Sequence, residues 1–348
     1  MEVGPDLLDE VRGQEEAKRA LEIAAAGGHH LLMVGPPGCG KSMLAERLGG
    51  LLPILENDER MEAAKIYSAA GLSVQRILRG IRPYRAPHHT VSEAGLVGGG
   101  TIPRPGEISL AHAGVLFLDE LPEFKRGVLE ALRAPLETGV VTISRARGHS
   151  TLPASVQLVA AMNPCPCGRL GASSRGQQAC MCARAAIENY LRRVSQPILD
   201  RIDLQVELQP VSMAVLFEAA GQRTSLQRQG APSSASSRQE AVARARARQI
   251  ARQGKLNAHM RAEEIRIKLP MDRDAERLLE QGGQRLGLSA RGVVRCLRVA
   301  ATLADLSEQE RIGAPHIAEA LQYRALSIID RYLRADQTEA LTTPYVGV

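Results

Sequence analysis

LLMVGPPGCGKSMLAERLGGLL, residues 31–52, is the stretch that decides the fold. Leu31 to Val34 has the length and composition of a buried strand, and Met43 to Leu52 reads as a helix. Between them Gly35, Pro36, Pro37, Gly38, Cys39, Gly40, Lys41 and Ser42 fit G-x-x-x-x-G-K-[ST], a phosphate loop with strand and helix on the sides the motif requires. Glycines let backbone N–H groups turn inward around phosphates, and the helix N-terminus adds its dipole. Lys41 is placed for the β and γ phosphates of ATP, and the Ser42 hydroxyl for Mg²⁺. The plain alternative is a glycine-rich turn beside a surface lysine, which leaves the two flanking elements unexplained.

Downstream, Gly114 to Leu118 is an apolar strand ending in Asp119 and Glu120. Such a strand is expected to be covered on both faces, with its carboxyl end where open α/β sheets hold ligands. Asp119 is read as a Mg²⁺ ligand and Glu120 as the group that polarises an attacking water. A third apolar strand, Val156 to Met162, ends in Asn163, read as orienting water or the γ-phosphate; an Asn opening a turn before Pro164 is the other reading. Apolar runs alternate with helix-like segments to about residue 210, the signature of an α/β fold with a parallel sheet. Residues 1–210 are therefore assigned to an α/β ATPase domain. Residues 211–272 are read as a linker or insertion with a basic helix, since 219–239 are rich in Ser, Gln and Gly. Residues 273–335 read as an α-helical lid domain, with 336–348 as a tail.

The chain has 348 residues, 44% hydrophobic and 24% charged, which excludes collagen, long disorder and disulfide miniproteins. No run approaches the roughly 20 apolar residues of a membrane span, and the opening MEVGPDLLDE is acidic where a signal peptide is basic. A cytoplasmic protein with no membrane partner is the expectation. Lys and Arg outnumber Asp and Glu by 44 to 38, which permits an anionic partner. Aromatics are only 3% with no Trp, so phosphate contacts are the expected handle on nucleic acid rather than serial base stacking.

Cys165, Cys167, Cys180 and Cys182 form two C-x-C pairs twelve residues apart. In a reducing compartment such thiols point to Zn²⁺ rather than disulfides, although C-x-C is not the usual knuckle spacing and reduced or redox-labile thiols remain an alternative. Two segments interrupt the α/β rhythm. Residues 88–106 are too polar and glycine-rich for a core element and carry Arg104; residues 140–153 read as a hairpin with a basic tip of Arg145, Arg147 and His149. Either could face DNA phosphates or plain solvent. His88 and His89 are adjacent, and residues adjacent on a strand point to opposite faces, so they are read as loop hydrogen-bonding groups without a metal.

These motifs, with VRGQ at 11–14, APHHTVSEAGLVGGG at 86–100, AAMNPCPCG at 160–168 and ILDRIDLQV at 198–206, resemble the magnesium-chelatase-like AAA+ ATPases, and within them the ComM (YifB) group. The resemblance runs from Asp6 to about Tyr332. It implies an AAA+ core of the helix-2-insert clade, with hairpins lining a central pore and a helical lid. It further implies a ring, usually a hexamer, with ATP between subunits, and a DNA branch-migration helicase used in natural transformation and recombination. Position by position it makes Lys41 and Ser42 the phosphate-loop residues, Asp119 and Glu120 the Walker B pair, and Asn163 the first sensor. Arg201 becomes an arginine finger for a neighbour's γ-phosphate, and Arg291 a second sensor. A salt bridge of Arg201 with Asp200 or Asp203 is the alternative for that residue. Members usually carry a further N-terminal domain, whereas ten residues precede Val11 here.

The leading expectation is thus an ATP-driven ring motor on single-stranded or branched DNA. The alternative is a magnesium-chelatase-type subunit that remodels a protein partner. A nucleotide switch without turnover is disfavoured by the intact Lys41, Asp119 and Glu120. Residues 238–261 carry seven Lys or Arg and one Glu, which equals the whole net charge. Arg244, Arg248 and Arg252 fall on one helix face, to be met by solvent, DNA or a neighbouring subunit.

Overall fold

The alternation of apolar residues places every sheet residue on one of two faces, and the computed structural model shows which. It describes residues 8–99, 104–145, 148–170, 179–210 and 234–324. The described strands are β1 (Leu31–Val34), β2 (Tyr84–Arg85), β3 (Gly98–Gly99), β4 (Arg104–Pro105), β5 (Val115–Leu118), β6 (Val140–Arg145), β7 (Gly148–Pro153), β8 (Gln157–Met162) and β9 (Leu204–Glu207). Five of them form one sheet in the order β2-β5-β8-β1-β9, with every neighbouring pair parallel. The non-sequential order follows from helical crossovers, which parallel pairing requires. All residues of β1, β5 and β8 are buried, as the sequence predicts for strands covered on both faces.

Leu31, Met33, Val115, Phe117, Val159 and Ala161 enter one hydrophobic cluster. Their neighbours Leu32, Val34, Leu116, Leu118, Leu158 and Ala160 enter a second on the opposite face. Each large side chain so buried contributes roughly 1.5–3 kcal/mol. The first cluster also takes in Cys296, Val299, Ala300, Leu303 and Ala304 of helix Ala290–Leu306, so the C-terminal helices share a core with the sheet.

Residues 140–153 form the expected hairpin, β6 and β7 pairing antiparallel from Val140 opposite Pro153 to Arg145 opposite Gly148. Residues 88–106 depart from the sequence reading. Among them Glu93–Val97 is a short helix capped by Ser92, with Leu96 buried in the second cluster, and β3 pairs with β4. Leu96, with Val91 and Val97 packed beside it, gives this glycine-rich stretch its own anchor in the core.

The arginine stripe is not free. Helix Ser234–Gln253 lies against the end of helix Ala290–Leu306, and Arg252 grips buried Asp305 through both nitrogens at 2.6 and 2.8 Å. Arg248 donates to the Gln309 carbonyl at 3.1 Å, and Arg244 to Glu308 at 3.0 Å. The partner is an intramolecular acidic helix end, which joins its own carbonyl dipole to Asp305 in attracting cations. No described helix is long and apolar enough to cross a membrane.

Candidate active site

The phosphate loop leaves the carboxyl end of β1 and closes on the first residue of helix Lys41–Leu51. Two glycines are required by geometry. A Cβ on Gly35 would stand 2.7 Å from the Leu208 carbonyl oxygen, and Gly40 takes the left-handed φ of 95° from which the helix starts. Lys41 is buried, and its Nζ donates to the carbonyls of Gly35 at 2.7 Å and Pro36 at 2.9 Å and to Asn163 Oδ1 at 3.1 Å. Burial pulls its pKa below the ordinary lysine value, opposed by Cys39 and Asp119 nearby.

The neighbouring strands bring in the other groups. Asp119 follows β5, and its Oδ2 accepts a hydrogen bond from the Ser42 hydroxyl at 2.7 Å. Its Oδ1 accepts from the Glu120 N–H at 2.9 Å, which helps hold Glu120 in a left-handed conformation, φ 52°, unusual for a side-chain-bearing residue. Asn163 follows β8, between the strands of Lys41 and Asp119 in the sheet. The structure thus gathers Lys41, Ser42, Asp119, Glu120 and Asn163 at one end of three adjacent strands, where α/β sheets bind ligands.

Sequence reasoning missed one residue. His89 Nδ1 lies 3.2 Å from Glu120 Oε2, and the ring stands edge-on to Phe124. No spacing rule signals a pair 31 residues apart; it arises because β2 and β5 are neighbours.

Arg201 meets neither Asp200 nor Asp203. Its guanidinium donates to the carbonyls of Arg133 and Pro197 and to Glu137 at 2.6 Å. Asp203 is otherwise engaged, by His29 at 3.4 Å and Arg295 at 3.2 Å. Burial would raise the pKa of Asp203, but the His29 hydrogen bond and the Arg295 charge hold it well below the usual carboxylate range. Arg291 lies in the first turn of helix Ala290–Leu306, exposed, one turn ahead of Arg295.

Beyond Asn163, the sulfurs of Cys165, Cys167, Cys180 and Cys182 all lie within 4.8 Å of one another. Burial pushes the Cys165 thiol up; at Cys167 the burial effect is outweighed by the Arg169 N–H and neighbouring thiols, which bring it down to about 7. Of the residues expected at DNA, Arg104 is exposed on β4, and Arg145 and His149 sit at the paired end of β6 and β7. The side chains of Arg145 and His149, and all of Arg147, lie outside the described residues.

Two family models match the chain: magnesium chelatase, subunit ChlI, over residues 7–216, and the C-terminal part of the same subunit over residues 232–324. Protein YifB of Escherichia coli is 47% identical over 327 residues, 94% of this chain and 61% of that protein. Protein YifB of Salmonella typhimurium is 45% identical over 326 residues, with the same coverage. Competence protein ComM of Haemophilus influenzae is 47% identical over 321 residues, 92% of this chain and 60% of its own length. The chain therefore spans about 60% of the length of these relatives. With both models matched, one of them over residues 7–216, the chain belongs to the magnesium chelatase ChlI family of AAA+ proteins.

Proposed function

We propose that the chain is the ATP-hydrolysing part of a ComM-like motor that assembles as a ring, a hexamer by analogy, and drives branch migration or unwinding of DNA in the cytoplasm. The observation that carries the ATPase reading is the convergence of Lys41, Ser42, Asp119, Glu120 and Asn163. Similarity to a competence protein supports DNA as the substrate.

The residues fit Mg²⁺, since Ser42 and Asp119 offer hard oxygen donors already side by side. Bound there, Mg²⁺ would neutralise charge on the β and γ phosphates. Lys41 exchanges the carbonyls of Gly35 and Pro36 for phosphate oxygens. Glu120 accepts a proton from the water that attacks the γ-phosphorus, while the bond to the β–γ bridging oxygen breaks. Asn163 holds the water or the γ-phosphate from the adjacent strand. Arg201 serves as the finger for a neighbouring subunit, consistent with its hydrogen bonds running to Arg133, Pro197 and Glu137 and not to Lys41 or Asp119 of its own chain. Such a finger makes turnover depend on assembly. Arg291 reports the nucleotide state to the helices. The β6–β7 hairpin, with Arg145, Arg147 and His149, and Arg104 supply the phosphate contacts.

A second reading, remodelling of a protein partner, is favoured by the chelatase description of both matching models. ATP turnover with and without single-stranded and forked DNA, alongside a Glu120→Gln variant, separates them. Stimulation by DNA that vanishes in the variant is expected; turnover indifferent to DNA favours remodelling.

A further inference from the structure

The segment that carries Asn163 runs directly into the thiol cluster. Cys165 Sγ lies 3.4 Å from Cys167 and 3.7 Å from Cys180, and Cys167 lies 3.6 Å from Cys180. Four thiolates around Zn²⁺ at about 2.3 Å in tetrahedral geometry stand about 3.8 Å apart, close to these separations. A disulfide needs about 2.05 Å, and all four cysteines are free. Thiols are weak hydrogen-bond donors and acceptors, so mutual attraction does not account for four of them converging from two C-x-C pairs twelve residues apart.

The same turn touches the phosphate loop. Gly168 N–H closes back on the Cys165 carbonyl at 2.9 Å, with Gly168 at φ 74°. A Cβ on Gly168 would stand 2.4 Å from Pro37 Cδ, 2.7 Å from Pro37 Cγ and 3.7 Å from Asn163 Cγ. Pro37 belongs to the loop that receives phosphates, and Asn163 is the partner of Lys41. Tyr190 is buried in the same hydrophobic cluster as Cys165. Six residues, 163–168, thus hold the Lys41 contact at one end, the Pro37 contact at the other, and two thiolate ligands between.

We propose that Cys165, Cys167, Cys180 and Cys182 bind one Zn²⁺, and that this centre is a structural wall of the nucleotide pocket, so that zinc and nucleotide each tighten the other's binding. The second clause rests on the reading that the Lys41 pocket binds ATP. With zinc in place the Cys165–Gly168 turn is pinned and presents a fixed surface to Pro37 and a fixed Asn163 to Lys41. Without it the turn loses its anchor at both cysteines. A binding free-energy coupling is reciprocal, so nucleotide in the loop must raise zinc affinity by the same factor by which zinc raises nucleotide affinity.

The test uses the whole chain. Zinc content is measured by elemental analysis, and Co²⁺ substitution reports thiolate ligation by its absorption. Zinc affinity is then measured by equilibrium competition with a chromogenic chelator in the Glu120→Gln background with and without ATP, and affinity for a fluorescent ATP analogue is measured before chelation, after it, and after zinc is restored. One zinc per chain, zinc affinity raised at least fivefold by ATP, and nucleotide affinity that falls at least fivefold on chelation and recovers on re-addition are expected. A Gly168→Ala variant, which keeps all four thiols but pushes on Pro37, should keep its zinc and bind nucleotide more weakly. Absence of zinc overturns the site. Zinc affinity and nucleotide affinity that ignore each other overturn the coupling alone, whereas failure of the zinc-loaded chain to bind nucleotide overturns the ATP reading as well.

Discussion

His89 holds Glu120: the imidazole Nδ1 stands 3.2 Å from the carboxylate Oε2, although Glu120 itself is more than half exposed. The residue assigned to polarise water is therefore steadied from the turn that follows β2, on a backbone already in a strained left-handed conformation. Glu120→Gln should lower kcat by about 10²–10⁴-fold, the usual range for a positioned general base, while ATP still binds. His89→Ala, which removes only the steadying contact, should lower kcat by about tenfold with KM nearly unchanged. Steady-state kinetics on both variants measure the split, and a His89→Ala effect confined to KM would contradict the assignment.

Arg252 and Asp305 make the strongest ion pair of the arginine stripe, with the Asp305 side chain fully buried. Arg252→Ala should destabilise the protein by about 3 kcal/mol, because the buried Asp305 carboxylate then keeps only the Asn257 amide at 2.8 Å and an Arg248 nitrogen at 3.8 Å. Arg244, more than half exposed against an equally exposed Glu308, should cost less than about 1 kcal/mol on the same substitution. Urea unfolding followed by circular dichroism tests the contrast. Neither change should alter DNA affinity directly, since the stripe faces the molecule's own acidic helix end.

His30 makes stability fall with acid. Its Nδ1 accepts the Leu158 N–H at 3.0 Å, which a protonated ring cannot do. Burial, with the cationic Arg295 and the rings of His259 and His29 and against the pull of Asp203, brings its pKa down to about 4. Above pH 7 the ring is neutral folded and unfolded, so it contributes no slope. Between about pH 6.5 and pH 4 the unfolded chain takes up a proton that the folded ring refuses, and stability drops as pH falls. The loss from this residue should be about 2 kcal/mol between pH 7 and pH 5. His112 and His259 are lowered too, so the measurement is the difference between the parent protein and His30→Asn, whose Oδ1 can still accept the Leu158 N–H. Parallel pH profiles for the two would contradict the account.

Arg145→Ala with Arg147→Ala should weaken DNA binding and flatten its salt dependence, the slope of log K against log salt falling by about 0.7–0.9 for each phosphate the protein no longer neutralises. Nucleotide affinity should be unchanged, since β6 and β7 form their own sheet apart from the strands of the phosphate site. Titrations across a range of salt concentrations measure both; an unaltered slope would remove the hairpin from the DNA path.

Much of this molecule is written locally. The strand Leu31–Val34, the glycines at 35 and 40, and the carboxylates that end Val115–Leu118 are legible because each depends on nearest neighbours: side-chain period, allowed φ, and the end of an apolar run. Those rules suffice to place Asp119, Glu120 and Asn163 at strand ends, Lys41 and Ser42 at the start of the helix after the first strand, and to predict a parallel sheet. They also mark residues 140–153 as a hairpin. They fail for residues 88–106, where Leu96 reaches the core from among many glycines, because burial of one side chain is decided by what packs over it.

Charge partners are not legible at all. The sequence offers Arg201 its neighbours Asp200 and Asp203, and the folded chain gives it Glu137, 64 residues away. The stripe at 244–252 is open by sequence to solvent or DNA and folds onto Asp305, Glu308 and the Gln309 carbonyl. His89 meets Glu120, and Gly168 meets Pro37, only because strands distant in the chain become neighbours in the sheet. Sequence alone determined which chemistry the chain carries, since a motif is a local arrangement of residue types. Tertiary structure decided which groups that chemistry acts through together, since an ion pair or a thiol cage depends on distances in space that no spacing along the chain records.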